Sequence, residues 1–121
     1  IKGANMSIEF QVEVAEKDTI PIVRIQGEID VYTCPKLHDI FQNLISQGSS
    51  NVLLDLMNIQ YIDSTGLGAI AHVAKSLLAK NGTVHIVCTR PQVKKIFEIS
   101  GLQNKNVRLF DEEEVALNGF N

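Results

Sequence analysis

The strongest constraint on the fold is an almost uninterrupted apolar run at residues 51–56, NVLLDL, near the middle of the chain. Such a run is typical of a β-strand covered on both faces, which belongs at the centre of a partly parallel sheet. After a connection at 57–62, apolar residues recur with helical spacing between Leu67 and Leu78, so we predict a helix that begins near Ser64. A buried strand followed by an amphipathic helix is the building unit of α/β proteins.

Similar patterns divide the rest of the chain into strands and helices. Alternating residues predict a first strand at 8–16, and a β-branched run predicts a second strand at 20–26 that forms a hairpin with it. The other predicted elements, in chain order, are a helix at 35–47 capped by Thr33 or Cys34 and ended by Gly48, a strand at 83–89, a helix opened by Pro91 and ended by Gly101, a strand at 107–110 and a helix at 111–117. The order β-β-α-β-α-β-α-β-α predicts an α/β domain, with a mixed β-sheet and helices packed on it.

Composition and charge narrow the function classes. The 121 residues are 45% hydrophobic and 21% charged, which is the balance of one globular domain. A formal net charge of -3 offers no basic surface for phosphate backbones, so we expect no direct binding of nucleic acid. The apolar run at 52–56 is far shorter than the roughly 20 residues that cross a bilayer, so we expect no membrane partner.

The ends of the chain and its two cysteines complete this outline. We interpret residues 1–5 as a remnant outside the domain, residues 6–117 as the domain, and residues 118–121 as a C-terminal tail. Cys34 and Cys88 lie far apart in the sequence, which favours free thiols in a reducing compartment. We therefore expect a cytoplasmic protein.

The segment that carries most chemistry is YIDSTGLG, residues 61–68. It follows the predicted central strand, at the edge where open α/β sheets commonly bind ligands. The hydroxyls of Ser64 and Thr65 and the carboxylate of Asp63 stand beside the unpaired N–H groups and the positive dipole end of the helix. The residues alone leave two interpretations open: an ordinary helix N-cap, or a site where an anion carried by a hydroxyl is stabilised.

Catalytic, cofactor and metal sites are not predicted. Gly66 opens a G-x-G-x-x-A pattern, but the acidic residue that a dinucleotide site needs about 20 positions later is missing. The three histidines neither place a base beside Ser64 nor form a metal-ligand pattern. The acidic run at 111–114 is expected to open the last helix as a solvated face. The histidines are His38, His72 and His85.

Three segments together resemble one protein family. They are QGEID at 26–30, LLDL at 53–56 and YIDSTGLG at 61–68. With them the chain resembles STAS domains, specifically the bacterial anti-sigma factor antagonists, over nearly all of residues 6–117. The most specific elements are D-S-x-G-L-G at the start of the second helix and G-E-[IL]-D after the second strand.

The resemblance implies a regulatory binding protein and not an enzyme. In this family an anti-sigma factor, itself an ATP-dependent serine kinase, phosphorylates the serine that matches Ser64, and a serine phosphatase reverses the modification. The unmodified form binds the kinase and so releases a sigma factor. The positions matched to partner binding are Asp30, Asp63, Thr65, Gly66 and Leu67.

Three further points bear on this interpretation. Thr65 stands where the family more often has a small residue or serine, which leaves open whether it is a second phosphoacceptor. The alternative function is a STAS scaffold or sensing module: a stressosome-type scaffold, a nucleotide-binding regulator or a transporter-associated domain. For the switch, a phosphate adds a charge of about -1.5 to -2, and its burial beside Asp63 against a partner costs desolvation and repulsion.

Overall fold

A five-stranded sheet organises residues 9–120, which are the residues that the computed structural model describes. The strands follow the spatial order β1-β2-β3-β4-β5; β1 is antiparallel to β2 and all other neighbours are parallel. This confirms the predicted mixed α/β fold. None of the helices in this range has the length and apolar character needed to cross a membrane. The elements are β1 (Gln11–Lys17), β2 (Ile20–Ile29), α1 (Cys34–Ser46), β3 (Val52–Ile62), α2 (Ser64–Leu78), β4 (Val84–Val87), α3 (Pro91–Ser100), a 3-10 turn (Leu102–Asn104), β5 (Val107–Phe110) and α4 (Glu113–Asn118).

The structure confirms the predicted hairpin between β1 and β2. Lys17 pairs with Ile20, and the two residues between them, Asp18 and Thr19, have positive φ angles of 53° and 68°. Two central residues with positive φ are characteristic of a type I′ turn, whose twist matches that of the flanking strands. Of the predicted first strand, Ile8 lies outside the described residues.

β3 lies at the centre of the sheet, as its apolar sequence predicted. Leu53 and Leu54 are both fully buried, and they belong to clusters on opposite faces of the sheet. The strand continues to Ile62, so the predicted connection at 57–62 is wrong. Two irregularities in the pairing of β2 with β3 give β3 extra residues there, the second beside Gly27 with φ 98°. These bulges interrupt the alternation of inward and outward side chains by which a strand is recognised.

The main core lies between one face of the sheet and helices α1, α2 and α3. Phe41 of α1, Ile70 of α2 and Phe97 of α3 are buried in it. The three parallel crossovers carry the chain back after each helix, so β2, β3 and β4 all end at one edge of the sheet. We call this edge, with the loops that leave it, the carboxyl edge.

α4 packs on the opposite face of the sheet. Its Glu113 accepts two hydrogen bonds from Arg24 of β2, with an Nε–Oε2 distance of 2.7 Å and an Nη2–Oε1 distance of 3.0 Å. The prediction that the acidic run is only a solvated face is therefore wrong for Glu113, because this ion pair joins residues 89 positions apart. The apolar contacts of α4 with the sheet form a small cluster of Ile22, Leu53, Val87 and Ala116.

The packed region also continues past residue 117, where the sequence placed the end of the domain. α4 ends at Asn118, and the ring of Phe120 stacks on that of His85 with centroids 3.7 Å apart and an interplanar angle of 10°. Aromatic stacking of this kind holds Phe120 against β4. The side chain of Phe120 therefore packs against the sheet, whereas Asn118 and Gly119 are exposed.

Candidate functional site

Ser64 is the first residue of α2, and its side chain faces solvent. The N-cap of the helix is the preceding residue, Asp63, whose Oδ1 accepts a hydrogen bond from the Gly66 N–H at 2.9 Å. Within residues 9–120, no hydrogen bond involves the Ser64 hydroxyl. Of the two interpretations that the sequence left open, the capping role therefore belongs to Asp63, and the Ser64 hydroxyl is accessible.

Two other predicted site residues in the first turn of α2, Thr65 and Leu67, differ in exposure. Thr65 is exposed, so a second hydroxyl stands beside the first in the opening turn of α2. Leu67 is half-buried and packs against the main core, while its N–H donates the first helical hydrogen bond to the Asp63 carbonyl at 2.9 Å. Thr65 thus belongs to the accessible surface, and Leu67 mainly anchors the helix.

Gly66 allows the start of α2 to lie directly on the ends of two strands. A Cβ atom at this position would lie 2.6 Å from Ile29 Cγ2 and 2.9 Å from Ile62 Cγ1, which is too close for unstrained contact. The Asp63 N–H also donates to the Ile29 carbonyl at 3.1 Å, and so ties the end of β3 to the end of β2. Gly66 is buried, and it allows close packing of the helix start on the ends of the two strands.

Asp30 organises the loop that leaves β2. Its Oδ1 accepts hydrogen bonds from the N–H groups of Tyr32 at 2.9 Å and Thr33 at 3.1 Å. The Thr33 hydroxyl accepts from the Asp30 N–H at 2.9 Å and donates to the Glu28 carbonyl at 2.9 Å. Thr33 is the N-cap residue of α1, yet it makes no side-chain capping bond, because its hydroxyl is used by this loop. Thr33 thus lies at the predicted N-cap position, but its side chain holds the loop instead of capping the helix.

The two predicted carboxylates, Asp30 and Asp63, act on one buried thiol. Burial raises the pKa of Cys34, and the negative charges of Asp63 and then Asp30 raise it further. Cys34 is a free, buried thiol, and a raised pKa lowers its reactivity.

The carboxyl edge also carries apolar side chains that sequence reasoning missed. Val31 and Tyr32, in the loop after β2, are 56% and 88% exposed, and Tyr61, near the end of β3, is 51% exposed. We call Val31, Tyr32 and Tyr61 the apolar rim. Exposed apolar and aromatic residues that flank polar groups are typical of protein interaction surfaces. The sequence could have indicated these residues, because they lie within or directly after the motifs QGEID at 26–30 and YIDSTGLG at 61–68.

Among residues 9–120, no side chain forms a hydrogen bond with the Ser64 hydroxyl. His85 is buried, its Nδ1 lies 2.8 Å from the Ala116 carbonyl oxygen, and burial lowers its pKa. It pairs with Leu53 near the start of β3, whereas Ser64 follows the end of that strand, roughly 30 Å away at the usual rise per residue. Within residues 9–120, no group of three or more His, Cys, Asp or Glu side chains is placed to hold a metal ion.

Comparison with known proteins assigns the domain. The model of the STAS domain family matches residues 11–116. The anti-sigma-B factor antagonist of Staphylococcus aureus strain NCTC 8325 is 30% identical over 97 residues, which cover 80% of this chain and 90% of that protein. The protein of the same name from Staphylococcus epidermidis is also 30% identical over 97 residues, with the same coverage.

Solved structures agree with this assignment at the level of the fold. The crystal structure of an anti-sigma factor antagonist from Mycobacterium paratuberculosis superposes with a TM-score of 0.84 at 22% identity, covering 93% of this chain and 94% of that chain. The Bacillus cell fate determinant SpoIIAA in its phosphorylated form superposes with a TM-score of 0.72 at 23% identity, covering 93% and 100%. With the family model matched over almost the whole described sheet and its helices, the chain belongs to the STAS domain family.

Proposed function

We propose that this chain is an anti-sigma factor antagonist whose binding to an anti-sigma factor serine kinase is switched off by phosphorylation of Ser64. The unmodified form binds the kinase and so releases a sigma factor in the cytoplasm, and a serine phosphatase restores that form. The domain is thus a substrate and a ligand rather than an enzyme. Its S. aureus relative at 30% identity is an anti-sigma-B factor antagonist, which supports the general class.

The observation that carries the proposal is the accessible hydroxyl of Ser64 at the carboxyl edge. A kinase must reach the oxygen atom that attacks the γ-phosphoryl group of ATP, and Ser64 is exposed with its helix already capped by Asp63. The same edge presents the apolar rim, which offers a surface for the partner. Phosphoacceptor and binding surface are therefore adjacent, so that one modification affects the other.

Charge explains why phosphorylation releases the partner without unfolding the domain. The positive end of the α2 dipole tolerates a phosphate at the first residue of the helix. In a complex, that phosphate lies at an interface that also contains the carboxylates of Asp30 and Asp63. Since a phosphoserine adds a charge of about -1.5 to -2, its burial there costs desolvation and like-charge repulsion.

Phosphorylation of the purified protein tests the proposal. We expect incubation with the anti-sigma factor kinase of the source organism and ATP to add one phosphate, located on Ser64 by mass spectrometry. Ser64→Ala should abolish the modification and keep kinase binding. Thr65→Ala is the matched control, because it removes the neighbouring exposed hydroxyl and should leave phosphorylation intact.

The contrary results are equally specific. A phosphate located on Thr65 would contradict the assignment of Ser64. The switch itself would be contradicted if the kinase modified another antagonist and left this chain unmodified.

A further inference from the structure

The fold brings together two histidines that are 34 positions apart in the sequence. His38 of α1 and His72 of α2 are both exposed, and their ring centroids are 6.3 Å apart with an interplanar angle of 34°. The two helices pack against each other on the same face of the sheet, so each imidazole is carried by a rigid element. Sequence spacing did not reveal this pair, because the contact is made between helices.

The distance between the rings lies within about 1 Å of the spacing that a shared metal ion needs. An imidazole nitrogen binds zinc at about 2.1 Å, so two imidazoles on one tetrahedral ion have ring centroids about 5 Å apart. The observed 6.3 Å is about 1 Å longer, and rotation of the two side chains closes that difference because both are exposed and unrestrained by burial.

We propose that His38 and His72 form a two-histidine site for a divalent transition-metal ion of the zinc class, which links α1 to α2. Imidazole ligands suit zinc, copper and nickel, whereas magnesium and calcium prefer oxygen ligands. Since residues 9–120 place no third His, Cys, Asp or Glu in such a group, water completes the coordination shell. His72 lies eight residues after Ser64, about 12 Å along the helix, so this site is separate from the phosphoacceptor.

Calorimetric titration of the full chain with zinc chloride tests the site. We expect one zinc ion per chain, and a loss of affinity of about tenfold or more in both His38→Gln and His72→Gln. Magnesium chloride should give no binding. Both substitutions are at exposed positions. In the absence of zinc, circular dichroism should therefore show the same unfolding temperature for the two variants and the wild-type protein.

Ring signals in NMR spectra give a second readout. Zinc should shift the signals of His38 and His72 and leave that of buried His85 in place. Three outcomes would overturn the site: no zinc binding to the unmodified chain, unchanged affinity in the two variants, or one zinc per two chains, since an ion of that kind joins two copies instead of two helices. None of these results depends on the proposed role of Ser64.

Discussion

Ser64 and Gly66 lie in the same turn of α2, yet they meet opposite surroundings. Ser64 faces solvent, while a side chain at Gly66 would collide with the ends of β2 and β3. The motif D-S-x-G-L-G therefore combines an accessible hydroxyl, an N-cap and a packing contact within six residues. Each of these roles predicts a different response to substitution.

The first expected result is that Ser64→Ala hardly changes the free energy of unfolding. The hydroxyl does not cap the helix, so the loss should stay within about 0.5 kcal/mol, as for other exposed positions. Leu54→Ala at the fully buried centre of β3 should cost about 2 to 5 kcal/mol. Urea titration of both variants measures the difference, and a comparable loss in the two would mean that Ser64 is a buried structural group.

A pair of glycine substitutions tests the packing contact. Gly66→Ala should destabilise the domain by about 1 to 3 kcal/mol, because its Cβ would overlap Ile29 and Ile62. Gly68→Ala is the matched control in the same helix: its Cβ would have no neighbour within 4 Å, so the better helix propensity of alanine should stabilise by up to about 1 kcal/mol. Thermal unfolding distinguishes the two, and equal shifts would contradict the close approach.

Between elements, α4 is held to the sheet by charges as well as apolar contacts. Arg24 of β2 binds Glu113 in bidentate geometry and also lies 3.3 Å from Glu13 of β1. The hydrogen bonds from Arg24 lower the pKa of Glu113 to about 2. Burial, and secondly the neighbouring Glu113, raise the pKa of Asp55 on β3 to about 6. The two carboxyl groups therefore titrate in opposite directions from their usual values.

These shifts predict how stability depends on pH. The contribution of Glu113 is present above about pH 4.5 and is lost as the pH falls towards 2. For Asp55 the folded state binds the proton more tightly than the unfolded state does, so its contribution is present below about pH 4 and is lost as the pH rises through 6. Stability from this cluster should therefore be greatest between about pH 4 and 5.

Asp55→Asn should remove the fall in stability between about pH 4 and 7, because the amide does not ionise. At pH 8 the free energy of unfolding of the variant should exceed that of the wild-type protein by about 1 kcal/mol. This value is smaller than the full pKa shift of Asp55 would give, because Asp55 is only half-buried. Asp39→Asn, at an exposed position on α1, is the control and should keep the original profile. Denaturant titrations from pH 4 to 8 measure both, and a persistent fall in the Asp55→Asn variant would contradict this origin of the pH dependence.

The elements were largely predictable from sequence, whereas contacts between distant elements were not. The strand at Val107–Phe110 and the start of α2 at Ser64 follow local patterns, and the structure confirms both. The second half of β3 was missed because bulges interrupt its alternation. The ion pair of Arg24 with Glu113 was missed because it depends on the packing of a helix that follows 89 residues later. The exposure of Tyr32 likewise depends on the tertiary fold, because the local sequence shows an aromatic residue in a loop but does not show whether its side chain is buried.

Across the whole molecule, the residues of the proposed site lie at one edge of the sheet. The carboxyl edge carries Ser64, the carboxylates of Asp30 and Asp63, and the apolar rim. At the opposite edge, the 3-10 turn at Leu102–Asn104 leads directly into the start of β5. If the partner binds at the carboxyl edge alone, a new charge placed at this edge should change the affinity, and a new charge placed at the opposite edge should not.

A pair of single-charge variants tests whether the position of the new charge determines its effect on binding. Under the proposed switch, Ser64→Glu should weaken binding of the anti-sigma factor kinase by about 1 to 3 kcal/mol, or about 5- to 150-fold in affinity. In that proposal, a carboxylate at the first residue of α2 is desolvated in the interface beside Asp63. Gln103→Glu adds the same charge at an exposed position of the 3-10 turn and should leave affinity unchanged. Calorimetry with the two variants, each first checked for an unchanged unfolding temperature, measures the effect. Equal affinities for both variants would show that charge at the carboxyl edge does not control binding, and an equal loss in both would show that net charge rather than position does.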